Sequence, residues 1–339
     1  MFERPVEQST RALDLAYFLD LLGELMLERF RRTGSDDDLE ASVKFATQAL
    51  ASIPEHDPMW PGIANNLALK LRQRSHKTSS TMDLEKGIQL CKRALSLPTQ
   101  YVHFRQRLLS TIGILLALLF RRRGDMDDLQ EAIQVSRETF TVADPETDNK
   151  AIEYNNLGNR LENLHDWAGN PDHLNEAIQC AREAVRCTLN EILRASRLTG
   201  LGKKLISRYN RTMELNDLNH AIECLRDAVK SPLNSNDIDW PSFANQLARG
   251  LKLRYERTGD ASALNESIHF QRQAIEHKTL HHSHPSRPGF IGNLAALLMG
   301  SYKETGQIED LEAAIKVYRE AVNLGEESGN TNHPAHLER

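Results

Sequence analysis

The chain is poor in the residues that staple, span or catalyse. Its 339 residues hold only four cysteines, Cys91, Cys180, Cys187 and Cys224, none in CxxC spacing. That argues against a disulfide framework or a cysteine-built zinc site and suits reduced thiols in a helical core. Charge of one sign is also scarce: 42 basic against 47 acidic residues leave a net charge of −5. So small an imbalance gives no electrostatic footprint for nucleic acid and no polybasic membrane anchor. The longest apolar stretch, Leu108 to Phe120, is broken by Ser110, Thr111 and Gly113 and runs into Arg121, Arg122 and Arg123. It is too short to cross a bilayer and reads as a helix buried between neighbours. Phe2, Glu3, Arg4 and Pro5 do not begin a secretory signal, so the expected location is cytoplasmic. No glycine-rich phosphate loop, HExxH helix or nucleophile elbow occurs, and the reading assigns no catalytic residue, no cofactor and no metal.

What is present is repetition. A short motif, Asp-Leu-x-x-small-Ile, places a leucine at Leu39, Leu84, Leu129, Leu174, Leu218, Leu264 and Leu311, spaced by 45, 45, 45, 44, 46 and 47 residues by subtraction. Three residues after each leucine stands a small side chain (Ser42, Gly87, Ala132, Ala177, Ala221, Ser267, Ala314), and seven residues further on a second (Ala49, Ala94, Thr139, Ala184, Ala228, Ala274, Ala321). A spacing of seven returns to one helical face, so this helix, B, carries a narrow seam where another backbone comes close. Seventeen residues before each marker leucine lies an apolar column beginning at Leu22, followed at once by Gly23, Ala68, Gly113, Gly158, Gly202, Ala248 and Ala295. This is helix A, with a close-contact point of its own. Each repeat is therefore an αα-hairpin, and the expectation is an all-α, right-handed solenoid of about seven hairpins and fourteen helices. The hairpins are expected at about 10–54, 58–98, 101–144, 150–189, 191–233, 239–279 and 286–326, with 327–339 a tail or the start of a further repeat.

Helix-end signals support the division. Asp38, Asp83, Asp128, Asp217 and Asp310 stand where helix B is expected to start and are read as its caps, with Asp128 and Glu131 at capping-box spacing. Helix A ends in cations before Gly34, Gly124 and Gly259, as helix stops do.

The small residues at three points of each hairpin, with large apolar ones between, resemble the tetratricopeptide repeat, whose usual period is about 34 residues. A period near 45 also suits HEAT or armadillo units; the small columns favour the tetratricopeptide form. Phrases such as Asn65-Asn66-Leu67-Ala68, Arg254-Tyr255-Glu256-Arg257-Thr258-Gly259-Asp260 and His284-Pro285-Ser286-Arg287-Pro288 resemble, more narrowly, the long-period arrays of fungal multidomain proteins. That resemblance implies a setting beside a caspase-like CHAT domain or an NLR-type nucleotide-binding domain. His333-Pro334-Ala335-His336 echoes the phrase that opens a new helix A.

The resemblance also implies a partner surface on helix A. Its candidate contact residues are Asn65, Leu69, Arg72, Ile114, Leu118, Asn155, Asn159, Lys203, Asn245, Arg249 and Lys252. Asparagines there can hold the backbone of an extended peptide or bond to the neighbouring hairpin. The cations can line a path for an acidic segment or remain solvated, and Ile114 and Leu118 can form an apolar floor or be enclosed. His277, His281, His282 and His284 read as a polar turn rather than a metal site. The functional expectation is a scaffold or sensor binding a protein or peptide on the concave helix-A surface, with self-association through terminal repeats as a further property. The alternative is an enzyme or small-molecule binder with a pocket inside the superhelix.

Overall fold

The computed structural model describes residues 3–97, 102–142, 148–230, 239–281, 284 and 286–327; His282, Ser231 to Ile238 and the 333–336 phrase lie outside them. Among the described residues there are fourteen α-helices and no strand. The chain divides into two compact units, Met1–His173 and Leu174–Arg339. In the first, α1 (Glu3–Thr33) pairs with α2 (Asp36–Ala51), α3 (Trp60–Thr78) with α4 (Thr81–Leu95), and α5 (Val102–Arg123) with α6 (Met126–Val142). The last helix of that unit, α7 (Asp148–Ala168), packs on α6. In the second, most of α8 (Pro171–Arg186) shares a core with α9 (Glu191–Thr212), which pairs with α10 (Leu215–Lys230). Then α11 (Trp240–Thr258) pairs with α12 (Ala261–Glu276), and α13 (Arg287–Thr305) with α14 (Ile308–Glu327). Odd-numbered helices are thus the A helices and even-numbered ones the B helices. None of the described helices is long and apolar enough to cross a membrane.

The small columns do the work the sequence assigns them. Ser42, Ala132, Ala177, Ala221, Ser267 and Ala314 are fully buried, as are Ala68 and Ala295 on the A helices. A β-carbon at Gly202 would lie 2.7 Å from Cγ of Leu225, and one at Gly87 would lie 2.9 Å from Leu115. Distances that short leave no room for even a methyl group, so the helices approach through the missing side chains.

Every A helix with a described end stops the same way. Gly34, Gly124, Gly169, Gly259 and Gly306 have φ between 67° and 73°, and Ser79 and Met213 take the same left-handed turn with φ of 59° and 58°. The residue there donates its amide to a carbonyl four back, as Gly34 does to Phe30 at 2.7 Å and Met213 to Tyr209 at 2.7 Å. This closes the helix by one left-handed residue, at no steric cost for glycine but at some cost for serine or methionine.

The reading of the marker aspartates as caps is corrected. The B helices begin two residues earlier, at Asp36, Thr81, Met126, Leu215 and Ile308, so each aspartate is a third-position residue. Capping falls to residues further upstream: Asp125 accepts from the amide of Asp127 at 3.0 Å, Asn170 from Asp172 at 2.9 Å, and Asp260 from Ser262 at 3.0 Å. Asp128 and Glu131 therefore form no capping box. The aspartates instead hold the hairpin closed. Asp83 takes Nε and Nη2 of Arg74 at 2.8 and 2.6 Å, Asp128 takes Arg123 at 2.7 and 2.8 Å, and Asp217 takes Arg208 at 2.8 and 2.6 Å. Asp38 pairs with Arg29 in the same way, and hydrogen bonding to that guanidinium holds its carboxyl below the usual range. In the last hairpin a hydroxyl replaces the cation, Ser301 Oγ donating to Asp310 at 2.7 Å. A forked guanidinium matched to both carboxylate oxygens fixes direction as well as distance, so these pairs set how helix B leaves the turn.

Candidate partner-binding face

In three pairs of adjacent hairpins the A helices are joined by the same hydrogen bond. Asn66 Nδ2 donates to Asp20 at 2.8 Å, Thr111 Oγ1 donates to Asn65 at 2.7 Å, and Asn293 Nδ2 donates to Asn245 at 2.9 Å. In each case the acceptor stands two positions before the apolar marker of one hairpin and the donor one position before the marker of the next. Asn65 and Asn245 are buried with their carbonyl oxygens occupied, which gives these two asparagines a joining role between hairpins. Asn155, of the same column, is half-buried on α7.

A second kind of joint uses long cations against glycine. Lys70 is fully buried; its Cε would lie 3.1 Å from a β-carbon on Gly23, and its ammonium pairs with Glu24 and, at 3.8 Å, with Asp20. Arg160, on α7, sits over Gly113 so closely that a β-carbon there would meet its guanidinium at 2.9 Å. That guanidinium donates to Ser136 Oγ, and burial draws its pKa down to about 10 against the opposing pull of Glu153. Burial in turn raises the Glu153 carboxyl above its usual range. Neither pairing figures in the sequence reading, which names only the glycine side of each, Gly23 and Gly113.

The remaining candidates differ in what they offer. Leu69, Ile114 and Leu118 are half-buried, and Leu118 packs on the apolar core of its unit. Lys252 is half-buried and pairs with Glu256 at 3.1 Å. Asn159 on α7, Lys203 on α9 and Arg249 on α11 are exposed.

Arg72, on α3, stands apart from the arginines that close hairpins. It is half-buried, its Nε has no hydrogen-bond partner, and among the described residues its electrostatic neighbours are cations. Burial lowers its pKa first, and the charge of Arg31 on α1 lowers it further. One turn along α3, His76 is lowered by burial and then by Arg72, Arg122 and Arg121. Arg122 is spent on the carbonyls of Ser75 and Ser80, at 2.6 and 2.9 Å, whereas Arg121 is exposed. The C-terminal ends of α1, α3 and α5 thus gather a group of cations, to which negative helix-end dipoles add favourably. Arg121 was legible only as part of a helix stop, and His76 carries no signal in the sequence pattern.

Among the described residues no group of three or more histidine, cysteine, aspartate and glutamate side chains could hold a metal ion. His277 stacks on Trp240 with ring centroids 5.1 Å apart, and its Nδ1 lies 2.8 Å from Thr279 Oγ1.

No protein-family model matches the chain, and no curated protein does. Solved structures do. The C-terminal part of a tetratricopeptide repeat-containing protein from Cytophaga hutchinsonii aligns over 91% of this chain and 98% of its own, with a TM-score of 0.60 and 13% identity. A signal transduction ATPase with numerous domains and a tetratricopeptide repeat sensor, from Pyrococcus horikoshii, aligns over 94% of this chain and 42% of its own, with a TM-score of 0.56 and 14% identity. At such identities the likeness shows the fold: paired helices packed as in tetratricopeptide arrays.

Proposed function

We propose that the chain is a protein-interaction scaffold that captures an extended acidic segment of a partner on its A helices, centred on Arg72 and Arg121. The observation that carries this reading is the state of Arg72. A half-buried guanidinium beside Arg31, with an unbonded Nε, has lost hydration and gained like-charge repulsion. A carboxylate laid across it restores a forked hydrogen bond and screens Arg31, His76 and Arg121 together. Repeat folds leave one face of each A helix outside the hairpin-to-hairpin contacts, which is where extended peptides bind. Leu69 and Ile114, half-buried on α3 and α5, supply apolar contact next to the charge, and Lys203 and Arg249 offer the same charge on the second unit. A cytoplasmic sensor or scaffold role within a fungal multidomain protein, beside a CHAT or NLR-type domain, is the setting that the sequence resemblance implies and belongs to this proposal.

Fluorescence anisotropy with labelled peptides tests it. Peptides rich in Asp and Glu should bind with an affinity that falls as salt is raised, and Arg72→Gln should weaken binding about tenfold, equivalent to about 1.4 kcal/mol. Equal binding of acidic and lysine-substituted peptides, or no loss on Arg72→Gln, would remove the assignment.

A further inference from the structure

One column of the repeat carries a charge that changes sign within the first unit. Eight residues before the marker leucines stand Arg31 on α1, His76 on α3, Arg121 on α5 and Asp166 on α7. All four are exposed, and His76 and Arg121 stay so although α3 and α5 each pack between two other A helices. Stacking therefore leaves this column open, and all four positions belong to one compact unit. One turn earlier stand Arg72 on α3, Ala117 on α5 and Glu162 on α7, so the position behind changes sign in the same order. Beside Asp166, Trp167 is 65% exposed. An indole face next to a carboxylate favours a cation, through the ring quadrupole and the charge together. In the second unit the column reads Asn210, Glu256 and Lys303, with no such order, and Glu256 pairs with Lys252 at 3.1 Å.

The spacing of these charges suits an extended chain. Packed helices lie about 8–10 Å apart and extended backbone advances about 3.3 Å per residue, so one hairpin corresponds to about three residues of a bound segment. Two acidic residues about three apart then face Arg72 and Arg121. The residue about three further on faces Asp166, where a third acid is repelled and a lysine or arginine is attracted.

We propose that the captured segment is bipolar, acidic where it crosses α3 and α5 and basic where it crosses α7. This rests on the acidic capture proposed above and adds the sign of the end that lies on α7. A uniformly acidic segment can slide by one hairpin with little change in attraction, whereas a change of sign fixes its register and repels the wrong sequence.

Fluorescence anisotropy on the full chain tests this with three end-capped peptides, each holding three charges three residues apart on serine spacers. One carries aspartate at all three places, one carries two aspartates and then lysine, and one carries lysine and then two aspartates, so both chain directions are sampled. Physiological ionic strength keeps net-charge attraction beyond about 8 Å from masking the local contact. One of the two lysine peptides should bind at least about fivefold tighter than the all-aspartate peptide. The Asp166→Arg variant should reverse that order; the position is exposed, and far-ultraviolet circular dichroism checks that the helices persist. An all-aspartate peptide that binds as tightly as both lysine peptides, or an order that Asp166→Arg leaves unchanged, would overturn the bipolar assignment and leave acidic capture standing. No binding by any of the three peptides would remove the capture itself, and the bipolar assignment with it.

Discussion

Lys70 and Gly23 form a matched pair across two hairpins: the lysine stem fills the space that the glycine leaves, 3.1 Å from where a β-carbon would stand. The stem is enclosed while the ammonium reaches Glu24, whose side chain is 45% exposed. The packing of the stem, more than the ion pair, is what the joint depends on. Lys70→Met, which keeps the stem and drops the charge, should cost less than about 2 kcal/mol, because Glu24 can return to water and Asp20 keeps its hydrogen bond from Asn66. Lys70→Ala opens a cavity against Gly23 and should cost about 2–4 kcal/mol. Chemical denaturation of both variants checks the order, and a methionine variant as weak as the alanine one would show that the charge dominates.

Gly202 and Gly200 lie two residues apart on α9 and should respond oppositely to alanine. A methyl at Gly202 meets Leu225, itself fully buried, at 2.7 Å, so Gly202→Ala should destabilise by about 1–3 kcal/mol. At Gly200 nothing lies within 4 Å. Gly200→Ala should therefore stabilise by about 0.5–1 kcal/mol through helix propensity alone. Thermal unfolding followed at 222 nm separates the two signs.

Ser79 and Met213 should each accept glycine with gain. Both hold the left-handed turn that five glycines hold in the other hairpins. Relief of that strain outweighs the added freedom of the unfolded chain, and Ser79→Gly and Met213→Gly should each raise stability by about 0.5–1 kcal/mol. Unchanged or lower melting temperatures would mean that the side chains contribute contacts at the turn that outweigh the strain.

His76 supplies a pH signature. Burial and the neighbouring arginines hold its pKa below the usual 6.5. The unfolded chain therefore takes up this proton first on acidification, so the His76 contribution is intact above the usual histidine value and is lost as the pH falls from there through the lowered folded-state pKa. An acidic peptide reverses the local field and raises the His76 pKa, so binding takes up a proton and tightens as the solution becomes mildly acidic. Imidazole chemical shifts with and without peptide should show the upward shift. Identical titrations would mean that the peptide binds elsewhere.

Much of the fold was legible because its joints are made by small residues at fixed spacing. Gly202 beneath Leu225 and Ala221 in the core follow from the period alone, since nothing but a small side chain fits there. The aspartates misled because a cap and a third-position residue differ by only three places, and the partner that decides between them, such as Arg74 for Asp83, lies across the turn. Asn65 was open between a peptide contact and a joint. The bond it accepts comes from Thr111, 46 residues on, which a single-repeat view does not pair with it. The cationic group around Arg72 was visible one residue at a time. That Arg31 reaches Arg72, and that Arg72 and Arg121 both reach His76, depends on hairpin stacking rather than on any local motif.

The most direct measurement of the central claim is photo-cross-linking of an acidic peptide carrying a benzophenone, with the attachment sites read by mass spectrometry. Cross-links should concentrate on α3 and α5 around Leu69, Arg72 and Ile114, and should fade when Arg72 and Arg121 are both changed to glutamine. Cross-links concentrated on the even-numbered helices, or a pattern unaltered by the double substitution, would contradict capture at this cationic face.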